Sequence, residues 1–186
     1  AKYNVRGAEL YPELAKKLHF DYSPLGSLVL AFDDDGIAKI NALLERGKQN
    51  GVKELRIVER DELRSIEPNV SESAVAALLA PTAGIIAPYQ ATWAFAESAV
   101  INGVTFLRNT MVHSIKKNDD GCFVLETSSG TLNCHFVVNA AGLAADKVSK
   151  MAGARDYTIV QRRGEYCLLD NKCKNMVNHI LFQTPG

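Results

Sequence analysis

No stretch of this chain approaches the ~20 consecutive apolar residues that a membrane-crossing helix needs, and no signal-peptide pattern is visible. No charge sign dominates: 21 Lys and Arg stand against 21 Asp and Glu. That balance excludes a global field drawing the chain to nucleic acid or anionic lipid. Cysteine is sparse, and Cys122, Cys134, Cys167 and Cys173 make no CxxC and no metal-ligand spacing. Neither a disulfide frame nor a metal site is expected, and the adjacent Cys134 and His135 would point to opposite faces of a strand. The expected setting is a reducing cytoplasm, with a membrane-peripheral one left open. G-x-S-x-G, HExxH and P-loop patterns are missing, which leaves hydrolase and nucleoside-triphosphatase readings without support. No G-x-G-x-x-G follows a predicted strand, so a complete doubly wound nucleotide domain is absent.

What is present is an ordinary globular composition, 47% hydrophobic over 186 residues, enough for one sizeable core or two small subdomains. Residues 3–18 carry Leu10, Leu14 and Leu18 at helical spacing, with Pro12 expected to kink or split the helix. HFDYSP and GSLVLAF (19–24 and 26–32) read as a strand pair turning at Pro24 and Gly26. Asp33-Asp34-Asp35-Gly36 lacks the alternating ligands of a calcium loop and reads as an acidic helix start. The helix after it carries Ile37, Ile40, Leu43 and Leu44 on one face and ends near Gln49-Asn50-Gly51.

A short strand around Leu55–Val58 follows, then a helix opened by Asp61 that stops before Pro68. AVAALLAP and GIIAP read as buried strands. Pro88 suits the first turn of a helix that points Trp93, Ala96, Ala99 and Val100 inward. VTFLR (104–108) reads as a short strand. TMVHSIKK and CFVLET alternate around the Asn118-Asp119-Asp120-Gly121 turn, and TLNCHFVV puts Leu132, Cys134, Phe136 and Val138 on one face. A long strand over 157–169 is expected after the helix from Leu143 to Ala152, and no clear element closes the chain. This order is an α+β (α/β) pattern.

HFVVNAAGLAADKVSKMAG (135–153) is the most informative stretch. An apolar strand, a turn of Asn139, Ala140, Ala141 and Gly142, and an amphipathic helix follow one another. A turn with almost no side chain lets backbone N–H groups approach a ligand closely, and a helix start favours anions. The bland alternative is an ordinary strand-to-helix connection.

Four segments in order, GSLVLAFDDDGIAKINALLERGKQNGV (26–52), LRSIEPNV (63–70), PTAGIIAPYQATWAFAESAVINGVTF (81–106) and MVHSIKK through VVNAAGLAADKVSKMAG, resemble the FAD-dependent oxidoreductases of the D-amino-acid-oxidase and glycerol-3-phosphate-dehydrogenase superfamily. RRGEYCLLD (162–170) is similar to the "RGEY" strand of its glycerol-phosphate and 2-hydroxyglutarate branches, and KYNVRGAELYPELAKK to the helix after the flavin-contacting N-terminal segment. The family's own G-x-G-x-x-G and its C-terminal closing segment are not matched. The resemblance therefore implies a central piece of such an enzyme, a mixed-sheet substrate-binding domain with helices plus part of an FAD-binding domain. Its expected parts are substrate domain over 1–86, returning FAD-domain part over 87–155, and substrate domain again over 156–186. The excised piece is expected neither to retain FAD nor to turn over by itself.

The activity implied for the parent is oxidation of sn-glycerol 3-phosphate to dihydroxyacetone phosphate by hydride transfer to flavin. A 2-hydroxyglutarate or amino-acid oxidoreductase of the same superfamily is the alternative, and a non-catalytic binding module is the alternative of another class. By resemblance, Val112 meets the adenine through its backbone, and Ala140, Ala141 and Gly142 line the FAD approach. A phosphate dianion calls for an arginine fork. Of Arg162 and Arg163, alternation lets only one face the site; the match favours Arg163, with Glu165 on the same face. Glu165 is the candidate catalytic group, either taking the hydroxyl proton or pairing with the arginine. Tyr166 is a substrate contact or a packing residue. His113 and His135 are read as structural. The partner implied is a small-molecule substrate, not nucleic acid; an electron-acceptor or peripheral membrane contact of the parent and its oligomeric state stay open.

Overall fold

The computed structural model describes residues 2–185, in two compact units: residues 2–104 with 169–185, and Thr105–Leu168. In the first unit α1 (Lys2–Leu18) is one helix that Pro12 does not split. Pro12 lacks only its own N–H, and Tyr11, Leu14, Ala15 and Leu18 still pack beside Phe20, Ala91 and Ala94. Those alanines lie on α4 (Pro88–Ile101), which begins with proline in its first turn as its sequence predicts.

Strand β1 (Tyr22–Ser23) does not pair with its sequence neighbour β2 (Ser27–Ala31). The strand pair read from 19–32 is thus corrected: β1 pairs antiparallel with β5 (Ile85–Ile86), and β2 joins another sheet. Gly84 shows why the β1–β5 contact is so close. A Cβ there would lie 2.7 Å from the Tyr22 hydroxyl, too near for any side chain.

The main sheet has four strands in the order β3–β4–β2–β9, with β3 Arg56–Glu59, β4 Ala76–Ala80 and β9 Ile180–Gln183. β4 runs antiparallel to β2 and β3, while β9 runs parallel to β2, so the sheet is mixed as expected. Strand β9 is an element the sequence did not announce. Helix α2 (Asp34–Gln49) covers one face through Ile37, Ile40, Leu43 and Leu44, which meet Val29, Ala31, Ala76 and Leu78. On the other face Leu28, Leu30, Val58, Ala77 and Leu79 pack with Leu63 of α3 (Arg60–Ile66). Burial on both faces accounts for the unbroken apolar runs of β2 and β4. Asp33 caps α2, its carboxylate accepting from the Gly36 N–H at 2.7 Å, as the acidic start implied.

The second unit holds the meander β6 (Val112–Lys117), β7 (Phe123–Thr127) and β8 (Gly130–Cys134), followed by a single 3-10 turn (Gly142–Ala144) and α5 (Ala145–Met151). Three expectations fail here or next to it. Residues 104–108 form no strand; β8 stops at Cys134, leaving Phe136 and Val138 88% and 89% exposed; and 157–169 forms no strand. A strand needs a neighbour for its N–H and C=O groups, and the sheets described here offer none to these segments. Trp93, expected inward, is 73% exposed. Helix α4 instead packs through the small Ala91 and Ala94, which let α1 approach closely and turn the indole outward.

Candidate functional site

Every residue singled out for cofactor or substrate lies in the second unit. Val112 opens β6, half-buried and opposite Thr127. The register shifts between Val112 and Ser114, a bulge that leaves His113 without a cross-strand partner. Bulges of this kind free backbone groups and re-aim side chains, so the candidate adenine position sits where the ladder is interrupted. The loops beside it are tied down, Met111 N–H donating to Ser128 Oγ at 2.9 Å and Ser128 N–H to Met111 C=O at 2.9 Å.

The turn Asn139–Gly142 is shaped by Asn139. Its Oδ1 accepts from Ala141 N–H at 3.3 Å and its Nδ2 donates to Ala145 C=O at 2.8 Å, fastening the turn to the first residue of α5. Gly142 has φ +55°, and a Cβ built there would meet nothing. Ala140, Ala141 and Gly142 are exposed. The outer side of the turn is therefore open, carries no side chain larger than a methyl, and presents backbone to a ligand. These residues fit the close approach of a dinucleotide cofactor.

Arg163, Glu165 and Tyr166 lie on an exposed, irregular segment. Arg163 Nε and Glu165 Oε1 stand 4.0 Å apart, a loose pair with both side chains open to solvent. Among the described residues, no hydrogen bond or ion pair joins this segment to Val112 or to the Ala140–Gly142 turn. The alternation expected of a strand is not formed here, so Arg162 and Arg163 are not sorted to opposite sheet faces.

Sequence reading passed over the groups that anchor this segment. Asp146, in the first turn of α5, accepts from Ile159 N–H through Oδ2 at 3.1 Å and from Lys147 N–H through Oδ1 at 2.8 Å. The bond from Ile159 and then that from Lys147 hold its carboxyl below the ordinary value of 3.8. Ser149, buried, donates to Arg155 C=O at 2.7 Å. The only sequence signal was an acidic residue at a helix start, which also reads as a dipole complement. His135 Nδ1 meets Cys122 Sγ at 3.3 Å, and burial, with the Asp120 charge adding to it, pushes the Cys122 thiol up.

The first unit holds a polar cluster of another kind. Glu67 is fully buried, yet Asn178 and His179 both donate backbone N–H groups to it at 2.9 Å, and His179 Nδ1 lies 3.0 Å from Oε2. The Glu of the "EP" element thereby fastens the chain just before β9. A cavity of about 610 Å³ opens between α1 (Val5, Pro12), Tyr22, Lys53 and the β4–β5 turn (Thr82), and none of the sequence-predicted site residues lines it.

A mixed sheet covered by helices on both faces thus stands in one chain with a three-stranded meander and an open small-residue turn. L-α-glycerophosphate oxidase from Mycoplasma pneumoniae, solved dithionite-reduced with FAD bound, superposes with a TM-score of 0.80 at 26% identity, over 99% of this chain and 50% of that one. The chain belongs to the DAO family of FAD-dependent oxidoreductases, whose profile matches residues 1–185. Among curated relatives, a glycerol 3-phosphate dehydrogenase of Caloramator mitchellensis is 41% identical over the whole chain, which covers 38% of that relative. The mitochondrial L-2-hydroxyglutarate dehydrogenase of Pongo abelii is 31% identical, again over the whole chain and 46% of the relative. The chain thus spans less than half the length of either. Among the described residues, no helix is long and apolar enough to cross a membrane.

Proposed function

We propose that this chain is part of an enzyme that oxidises sn-glycerol 3-phosphate to dihydroxyacetone phosphate. The observation that carries the reading is the difference in identity along the whole chain, 41% to the glycerol 3-phosphate dehydrogenase against 31% to the L-2-hydroxyglutarate dehydrogenase. Bound FAD would supply the hydride acceptor for oxidation at the carbinol carbon. Ala140, Ala141 and Gly142 would hold the cofactor through backbone, and Val112, where the ladder is interrupted, would meet its adenine. Arg163 grips the substrate phosphate as a two-pronged donor, and Gly164 beside it keeps the approach clear. Glu165 either pairs with Arg163, whose Nε stands 4.0 Å from its Oε1, or takes the hydroxyl proton as the carbonyl forms. Tyr166 packs against the carbon skeleton.

The second reading, oxidation of 2-hydroxyglutarate, draws on the full-length match to that relative, and an arginine fork suits a carboxylate as well as a phosphate. Anaerobic addition of each compound to the full-length flavoprotein carrying this chain separates the two. Bleaching of the flavin band by glycerol 3-phosphate alone is expected. Bleaching by the hydroxy acid alone moves the substrate, and a purified protein without flavin ends the enzyme reading.

A further inference from the structure

Helix α5 touches all three segments on which the proposed site depends. It packs against β6, the strand that Val112 opens. Its first residue takes the Asn139 amide at 2.8 Å, which fastens the Ala140–Gly142 turn. Its polar face holds the chain that runs on to Arg163, through Ser149 to Arg155 C=O at 2.7 Å and through Asp146 to Ile159 N–H at 3.1 Å. Ser149 C=O also accepts from Ala154 N–H at 3.0 Å, closing the reversal between the helix and this segment.

We infer that Asp146 is a positioning residue for the substrate-binding segment, setting the register in which Arg163 and Glu165 are presented. The inference rests on the substrate-contact role proposed above for those two residues. Its physical basis is the shortage of other restraints. From Val160 to Leu168 every residue is exposed and none lies in a strand or helix. Ile159 is half-buried, and its N–H is bonded to the Asp146 carboxylate, four residues before Arg163. A carboxylate accepting backbone N–H groups is a charge-assisted bond, stronger than a neutral one. The depressed pKa of Asp146 agrees with that bond being made by the ionised form. Removing the acceptor frees the segment at the side-chain anchor nearest to Arg163 among the described residues, while Asn139 continues to hold the cofactor turn.

The test uses the full-length flavoprotein with Asp146→Ala and Asp146→Asn, which keeps one acceptor oxygen. The expected result for Asp146→Ala is a rise of about 10- to 100-fold in KM for glycerol 3-phosphate together with a fall in kcat per bound flavin, the flavin spectrum being unaltered. Asp146→Asn is expected to recover most of the loss. A lower melting temperature with KM per flavin site within about twofold of the parent overturns the inference, because a merely structural role predicts that result. If glycerol 3-phosphate does not reduce the parent protein but 2-hydroxyglutarate does, the substrate reading fails and the same KM ratio is read with the hydroxy acid. If neither does, amide exchange decides: exchange about tenfold faster at Ile159 in Asp146→Ala supports the inference, and unchanged exchange overturns it.

Discussion

The two units of this chain treat their apolar residues in opposite ways. In the unit built on β3–β4–β2–β9, Leu28, Ile40, Val58 and Leu63 are fully buried between helices and sheet. Among the described residues of the meander unit only Ile115 and Ser149 are buried, while Phe136, Val138, Val160 and Leu168 stand between 79% and 97% exposed. Both units are rich in Val, Leu and Phe, so composition does not separate them. What separates them is how many of these side chains are buried within the unit. The first unit buries most of the core; the second carries the residues proposed to meet cofactor and substrate, on a three-stranded ladder at Val112 and on irregular backbone tied by side-chain hydrogen bonds from Asn139, Asp146 and Ser149.

Truncating one buried and one exposed side chain breaks the comparison most directly. Leu28→Ala is expected to cost about 2–5 kcal/mol, by lost transfer energy and the cavity left behind, and Phe136→Ala in the same chain no more than about 0.5 kcal/mol. Urea unfolding measures both; equal costs would show that Phe136 is packed in solution. Next in size is Glu67→Ala, expected to cost about 2–3 kcal/mol because two backbone donors, those of Asn178 and His179, lose a buried acceptor. Glu67→Gln, which keeps one oxygen, should recover part of it. A loss of protection at the β9 amides in Glu67→Ala, with the meander unaffected, would sharpen the distinction between the units.

The smallest effect concerns acid. Asp146 has a carboxyl lowered from 3.8, so its contribution is present above that pH and is lost as the pH falls through the lower folded value. Asp146→Asn should therefore be less stable than the parent near neutrality, and the difference should close on acidification through that window. A difference that stays constant with pH would show that the charge on Asp146 does not matter.

The legible parts of the sequence are those with a local cause. Asp33 ahead of an amphipathic run marks the cap and start of α2, Pro88 marks the first turn of α4, and Asn118–Gly121 marks the β6–β7 turn. The order of several short segments was enough to place the chain in its family. The candidate site was legible in part: the open turn at Ala140–Gly142 has the small, exposed backbone its composition suggests. Asp146 was not, because a carboxylate at a helix start looks the same whether it faces solvent or holds Ile159 thirteen residues away.

By itself, then, the sequence determined which segments coil, cap and turn, since propensity and capping act within a few residues. Only the tertiary structure decided what each segment meets. It took β1 to β5 rather than to β2, set β9 parallel beside β2, turned Trp93 outward, and left 135–139 and 157–169 without a sheet. The reason is that a strand exists through hydrogen bonds to a neighbour distant in sequence, and apolarity alone cannot name that neighbour.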